Sequence, residues 1–125
     1  MPQKNSNGTY NVYVYGTLRP GNGEPFVIPG EIYDLGWYPG LKLLPETDGK
    51  FVVAERIEAD DERLAKLDSY EGYYEDDHEH SLYLRVPFLD GWVYVYNRPL
   101  EGRTPVLSGD WLSYRGETEG VNNGI

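Results

Sequence analysis

The chain has 125 residues, 21 acidic side chains against 11 basic ones, a formal charge of -10 and no cysteine. This length fits one domain that buries roughly two thirds of the surface exposed by its unfolded form. The acidic balance argues against a nucleic-acid or anionic-membrane partner, and the absence of thiols excludes disulfides, thiolate metal sites and a cysteine nucleophile.

The N-terminal segment MPQKNSNGTYN has no apolar run of the kind that a signal peptide needs. No stretch approaches the roughly 20 apolar residues of a membrane span. We therefore expect a cytoplasmic protein with no membrane partner. We expect a single domain over residues 1–125, with its core in residues 10–115 and frayed termini that include ETEGVNNGI.

The first predicted strand is YNVYVYGTL, which alternates strictly along its length. Val12 and Val14 point to one face and Tyr13 and Tyr15 to the other, as in a strand that is buried on at least one side. The strand is expected to end at Gly16. Two more strand-like pieces lie in GEIYDLGWYPGLKLL, where Gly36 and the pair Pro39-Gly40 interrupt the pattern. The Pro-Gly pair predicts a type II turn.

Three further strands are predicted towards the middle and end of the chain. KFVVAERIEA reads as one strand, and SLYLRVPFLDGWVYVYNRP reads as a hairpin. Asp90-Gly91 is the expected tight turn of this hairpin. Pro87 cannot donate a hydrogen bond to a sheet, so it places the first arm at an edge or a bulge.

Only one segment, EADDERLAKLDSYEG, has a convincing helical period. Asp60 or Asp61 is suited to cap its N-terminus, and Leu64 and Leu67 form its apolar stripe. Gly72 fits the left-handed residue that ends a helix. Mostly strands with one short helix predict a small curled sheet or barrel.

Glu71 stands out among the acids of this helix. It lies seven residues after Leu64, on the stripe of the two leucines, and so should face inward. Burial and the C-terminal dipole both favour its neutral form, which predicts the raised pKa of a general acid/base. Asp68 is a neighbour that would raise this pKa further. Alternatively, the helix frays by Ser69 and Glu71 is an ordinary exposed acid.

The acids after Gly72 form a run of like charges that would repel one another if buried. We therefore expect residues 73–80 to form a solvated rim. The alternative is a metal site in which His78 and His80 share one side of an extended strand with Asp76. No Gly-x-Ser-x-Gly elbow is present for a serine triad.

The end of the first strand, VYVYGTLRPG, is a second candidate site. A strand that runs into Gly16 and Thr17 exposes successive backbone N–H groups, and such clusters bind carboxylates or developing oxyanions. Gly16 has no Cβ and lets a ligand approach the backbone closely. The alternative is an ordinary strand followed by a glycine turn.

Five segments in order, VYVYGTLRPG, YDLGWYPGL, LAKLDSYEGYY, WVYVYNRP and SGDW, resemble the gamma-glutamylcyclotransferase-like (AIG2-like) family, and most of all its small bacterial branch. The resemblance implies an α+β fold, a small mixed β-barrel with one or two short flanking helices, and a pocket at the end of the first strand. One departure is Ala54, before Glu55, where family members usually carry glycine.

The resemblance also implies a site and a reaction. The backbone of Tyr15, Gly16, Thr17 and Leu18 would bind the glutamyl group, and Glu71 would be the general acid/base. The α-amine of a gamma-glutamyl amide attacks its own γ-carbonyl, which forms 5-oxoproline and releases an amine or amino acid. This acyl transfer implies a small-molecule substrate and needs no metal, cofactor or enzyme nucleophile.

The strand tyrosines are the remaining candidates for substrate binding. Tyr83 and Tyr96 are the candidates retained, with Tyr94 on the strand of Tyr96, although tyrosines in strands are more often core residues or cross-strand pairs. An alternative function on the same fold is a non-catalytic module that binds a small carboxylated metabolite. Nothing in the sequence indicates the leaving amine or the oligomeric state.

Overall fold

The computed structural model describes residues 2–122, and their side chains as far as Gly116. Within this range a seven-stranded sheet carries two α-helices. The strands are β1 (Tyr10–Val14), β2 (Glu24–Asp34), β3 (Pro39–Leu43), β4 (Phe51–Ala59), β5 (Tyr83–Phe88), β6 (Gly91–Tyr96) and β7 (Thr104–Pro105). The helices are α1 (Asp61–Glu71) and α2 (Trp111–Asn122), and Glu46–Asp48 forms one 3-10 turn. No helix in the described part of the chain is long and apolar enough to cross a membrane.

The strand order is β3-β2-β4-β1-β6-β5, with β7 paired to β2. β1 and β6 are parallel, whereas the other neighbouring strands are antiparallel. The mixed sheet curls into a half-barrel, which confirms the predicted α+β class.

Strand β1 lies near the centre of this sheet and is buried on both faces. Val12 and Val14 belong to the apolar cluster that includes the leucines of α1. Tyr13 and Tyr15 belong to the opposite cluster, which contains Trp111 of α2. The alternation read from the sequence is therefore confirmed, and each helix covers one face of the strand.

The predicted turn at Pro39-Gly40 is wrong. These two residues begin β3, and the turn is formed by residues 35–38, immediately before the strand. The Leu35 N–H donates to the Tyr38 carbonyl over 3.1 Å, and Gly36 has a φ of 115°. Proline is tolerated here because it is the first residue of its strand.

The predicted hairpin of β5 and β6 is confirmed, but its turn lies one residue earlier than expected. Leu89 and Asp90 form the turn, and Gly91 already belongs to β6. A Cβ at position 91 would lie 2.1 Å from the carbonyl oxygen of Asn11, so the glycine serves close packing against β1. Pro87 lies on β5, the edge strand, as expected.

Two elements extend beyond the sequence prediction. β2 begins at Glu24, well before the predicted piece, and the residue pattern predicted no helix at α2, although the family resemblance allows for a second helix. Asp110 caps α2 by accepting the Ser113 N–H over 3.1 Å, and Trp111 is fully buried. The helix reaches Asn122 within the stretch expected to fray, while residues 1 and 123–125 lie outside the described residues.

Candidate active site

Helix α1 begins and ends as its sequence predicts. The Asp60 side chain accepts the Arg63 N–H over 2.8 Å at the first turn. Gly72, with a φ of 66°, ends the helix in the left-handed conformation. Glu71 is therefore the last helical residue, and its position is set by the cap and stop signals of the helix.

A cavity of about 250 Å³ opens where the end of β1 meets the end of α1. Six of the predicted site residues line it, namely Tyr15, Gly16, Thr17, Leu18, Glu71 and Tyr83. The lining is completed by Tyr13, Val14, Tyr38, Pro39, Tyr70, Leu82 and Tyr94. The structure thus brings the first-strand loop and the helical carboxylate to one space.

Tyr96 is the one predicted site residue that does not line this cavity. Its ring packs edge-on against Tyr83, with 5.3 Å between ring centroids. Tyr94, two residues earlier on the same strand, reaches the cavity instead. Because residues two apart in a strand point to the same face, the sequence pattern could not predict which of the two tyrosines lines the cavity.

The Glu71 carboxyl group is half-buried at the cavity wall. Burial raises its pKa to about 7. Among the residues whose side chains are described, none donates a hydrogen bond or forms an ion pair with this carboxylate. The group is therefore poised to take up and release a proton near neutral pH.

Asp68 does not make the contribution to this pKa that the sequence suggested. Its carboxylate accepts a hydrogen bond from the Tyr94 hydroxyl over 2.6 Å and from Arg85 over 2.8 Å. Burial raises the pKa of Asp68 itself. The raised pKa of Glu71 comes from burial alone.

The loop after β1 lines the same cavity and has unpaired backbone donors. The N–H groups of Gly16, Thr17 and Leu18 donate to no backbone or side-chain acceptor within the described residues. A Cβ at position 16 would lie 3.1 Å from Cγ and Cδ of Pro39. A side chain at position 16 would therefore crowd the Pro39 ring, and the neighbouring N–H groups have no protein acceptor within the described residues.

Three lining tyrosines have their hydroxyl protons committed to protein acceptors. Tyr15 donates to the Tyr94 carbonyl, Tyr83 to the Pro39 carbonyl and Tyr94 to Asp68, each over 2.6 Å. Burial raises the pKa of all three above the usual range, so they stay protonated. These hydroxyls have only lone pairs left to offer a ligand.

The residues that line the cavity therefore include both hydrogen-bond donors and hydrogen-bond acceptors. Backbone donors lie on the side of the first loop, whereas Glu71 and tyrosine oxygens supply acceptors. Among the described residues, no lysine, arginine or histidine lines the cavity. Exposed Tyr38 and Tyr70 form its rim, and turn 35–38 brings Tyr38 there, which no periodic pattern in the sequence signalled.

The acidic run after Gly72 is exposed over residues 74–80, as expected, but Tyr73, the first residue of the predicted rim, is buried in one apolar cluster with Leu64 and Leu67. His80 Nδ1 lies 2.8 Å from Asp77 Oδ2, whereas His78 Nε2 lies 3.3 Å from the Tyr73 hydroxyl. The two histidines thus have separate partners. Among the described residues no three His, Cys, Asp or Glu side chains come together as a metal-binding group.

A family model described as gamma-glutamyl cyclotransferase, AIG2-like, matches residues 12–113. The chain belongs to this family. The gamma-glutamylcyclotransferase family protein ytfP of Citrobacter rodentium is 34% identical over 116 residues, which cover 81% of this chain and 94% of that protein. The family resemblance seen in the sequence is thereby confirmed, with bacterial relatives.

Solved structures support the fold of this gamma-glutamylcyclotransferase family member. The solution NMR structure of ytfP from Escherichia coli superposes with a TM-score of 0.60 at 29% identity, covering 84% of this chain and 98% of that one. The crystal structure of the uncharacterized protein PH0828 from Pyrococcus horikoshii gives a TM-score of 0.63 at 20% identity, covering 89% and 97%. The second likeness concerns the fold alone.

Proposed function

We propose that the chain is a gamma-glutamylcyclotransferase that converts a gamma-glutamyl amide into 5-oxoproline and a free amine or amino acid. One observation carries this proposal. Within the part of the chain that the structure describes, a carboxyl group with a pKa of about 7 and no ion-pair partner lines the same cavity as a loop with three unpaired backbone N–H groups. Membership of the family supports it.

The donor and acceptor sides of the cavity suit the two ends of an amino-acid group. The N–H groups of Gly16, Thr17 and Leu18 bind the substrate α-carboxylate or the oxyanion that develops at the γ-carbonyl. The α-ammonium lies towards Glu71 and the lone pairs of the Tyr83 and Tyr94 hydroxyls. Tyr15 packs beneath the loop, and Tyr96 acts indirectly by holding the Tyr83 ring.

The chemistry needs one proton carrier. Ionised Glu71 takes a proton from the α-ammonium, and the free amine attacks the γ-carbonyl carbon. The five-membered ring closes as the amide C–N bond breaks, and the carboxylic acid form of Glu71 protonates the departing nitrogen. The ionised Glu71 that results takes the second proton from the ring nitrogen and passes it to the released amine, which leaves as an ammonium ion. Such general acid/base catalysis typically contributes about 10² to 10⁴ in rate, while ring closure supplies proximity.

The test is a panel of gamma-glutamyl amides whose amine parts are cationic, neutral or carboxylated. We expect at least one to yield 5-oxoproline and free amine in equal amounts. Matched amides that lack the α-amine cannot cyclise and serve as the control. If gamma-glutamyl compounds bind but none is converted, the proposal is wrong and the chain is a carboxylate-binding module on this fold.

A further inference from the structure

We propose that Glu55 is a positioning residue, which holds the loop of residues 16–23 in the shape that binds the glutamyl group. The inference rests on the proposed function in one respect, the role of that loop. Glu55 does not line the cavity, and neither does its main partner Arg19. Its effect on a substrate must therefore pass through the loop.

Glu55 lies on β4, opposite Val14 at the end of β1, and is only 3% exposed. Its carboxylate accepts hydrogen bonds from three donors of the loop. Arg19 Nε donates to Oε2 over 2.8 Å, and the Gly23 N–H donates to Oε1 over 2.6 Å. The Gly21 N–H lies between both oxygens, at 3.0 and 3.1 Å. One side chain of the sheet thus anchors three separate points of the loop.

Arg19 extends this anchor in two directions. Its own N–H donates to the Gly16 carbonyl over 3.1 Å, which closes the turn that contains the three unpaired N–H groups. Its guanidinium also contacts Asp110 Oδ1 over 3.0 Å. Asp110 caps α2, so the loop is tied both to the sheet and to the second helix.

The network is charged at neutral pH. Burial opposes ionisation of Glu55, but Arg19 and the N–H groups of Gly21 and Gly23 outweigh it and hold the pKa of this carboxyl below its usual range. The fit is also tight, since a Cβ at position 23 would lie 3.0 Å from Glu55 Oε1. Neither a neutral side chain nor a displaced loop satisfies all of these contacts.

The loop depends on this anchor because it belongs to no strand. Residues 15–23 pair with no neighbouring strand in the sheet. Within residues 16–19 the one backbone hydrogen bond is that from Arg19 to Gly16. Loss of the Glu55 carboxylate charge therefore weakens the contacts that fix the turn, while the residues that line the cavity are unchanged.

The experiment compares Glu55→Gln with wild type by ¹⁵N relaxation and by kinetics. We expect the backbone order parameters of residues 16–18 to fall from about 0.85 to below about 0.6. For a converted gamma-glutamyl amide we expect KM to rise about 10- to 100-fold, with kcat and its pH midpoint almost unchanged. The control is Glu31→Gln on β2, which removes the 3.3 Å ion pair between Glu31 and Lys50 and should alter neither readout.

A second variant decides the matter if Glu55→Gln does not fold. Asp110→Asn keeps a residue that caps helices equally well but weakens the contact with Arg19, and should shift both readouts in the same direction. Unchanged order parameters and KM in the folded variant would overturn the inference. So would a collapse of kcat with a moved pH midpoint, since that places Glu55 in the chemistry. The relaxation measurement needs no turnover, so an inactive wild type would count against the proposed function alone.

Discussion

Glu71 ends helix α1 on the stripe of Leu64 and Leu67, so formation of the helix itself carries its carboxyl group out of water. The resulting rise in pKa, from 4.5 to about 7, has two consequences. The group becomes a proton carrier at neutral pH, and its ionisation is opposed by the folded state.

Because the folded state opposes ionisation of Glu71, removing its charge should increase the free energy of unfolding at neutral and higher pH. Below about pH 4.5 the Glu71 side chain is neutral in both the folded and unfolded states. Between about pH 4.5 and 7 only the unfolded chain releases the proton, so the wild type loses roughly 2–3 kcal/mol of stability, which it does not regain at higher pH. Glu71→Gln should therefore be more stable than wild type at about pH 8 and similar at about pH 4.5. Urea unfolding at both pH values measures this, and an equal difference at the two would contradict it.

The same pKa predicts the pH dependence of activity. In the proposed reaction Glu71 must be ionised to accept the α-ammonium proton, so kcat/KM should rise with pH through a midpoint of about 7 and then level off. A profile of 5-oxoproline release between about pH 5 and 9 measures it. A flat profile across this midpoint would show that the ionisation of Glu71 does not control the rate of the reaction.

Gly16 is predicted to be intolerant of a side chain. An added Cβ meets the Pro39 ring at 3.1 Å and pushes the loop away from β3. Gly16→Ala should raise KM by about 10- to 100-fold, because the N–H groups proposed to bind the substrate move with the loop. Gly116→Ala is the matched control, since no atom lies within 4 Å of the Cβ it adds. Equal kinetics in the two variants would refute the packing argument.

At the scale of single residues, the sequence predicted Glu71 because helical spacing is a local property. The raised pKa followed from its place on the apolar stripe. That Tyr94 lines the cavity and Tyr96 does not was not predictable in this way. Both tyrosines lie on one face of β6, and only the curl of the sheet decides which one reaches the cavity. The role of Asp68 on helix α1 depends on its contact with Arg85 on strand β5, and no local sequence pattern indicates that contact.

At the scale of elements, the two ends of α1 allow stability and activity to be separated. Asp60→Ala removes the N-cap and should cost about 1 kcal/mol. Gly72→Ala forces a side chain into the left-handed conformation, 3.3 Å from Cβ of Leu82, and should cost about 1–2 kcal/mol. The second change adjoins Glu71 and should also lower kcat, whereas the first should leave kcat unchanged. Thermal unfolding and steady-state kinetics on both variants measure this, and equal kcat values would be contrary to the account.

Two errors at the scale of elements share one cause. Gly40 and Gly91 resemble turn residues in the sequence, yet both lie in strands where a neighbour approaches closely. A Cβ at position 40 would meet Tyr96 at 3.0 Å, and one at position 91 would meet Asn11 at 2.1 Å. A glycine required by packing and one required by a turn look alike until the strands are placed. Helix α2 was missed for a different reason: the sequence from residue 117 onwards indicates a frayed terminus, whereas the burial of Trp111 and the cap at Asp110 hold the start of the helix.

At the scale of the whole molecule, the order of the strands determines where the site lies. β1 is central, its two faces belong to different apolar clusters, and its end opens into the cavity between them. The strand and helix patterns predicted the class of fold, but the position of the pocket came from the family resemblance, because pairing between distant strands leaves no periodic signal. That one domain spans the whole chain remains a prediction.

The net charge of -10 leads to a prediction about substrates. An acidic surface attracts a cationic ligand over distances that salt screens. For a gamma-glutamyl amide whose amine part carries an ammonium group, kcat/KM should fall about 3- to 10-fold as salt rises from about 0.01 to 0.5 M. A neutral amide of similar size should show little change. Equal salt dependence for the two substrates would exclude steering by the surface charge.

The central claim is that Glu71 carries the proton in a cyclisation reaction. The most direct measurement is the rate of 5-oxoproline release at about pH 8 by wild type, Glu71→Gln and, as the matched control, Glu75→Gln in the exposed run that follows. We predict that kcat falls by about 10² to 10⁴ in Glu71→Gln and stays at the wild-type value in the control. A folded Glu71→Gln protein that releases 5-oxoproline at the wild-type rate would contradict the account.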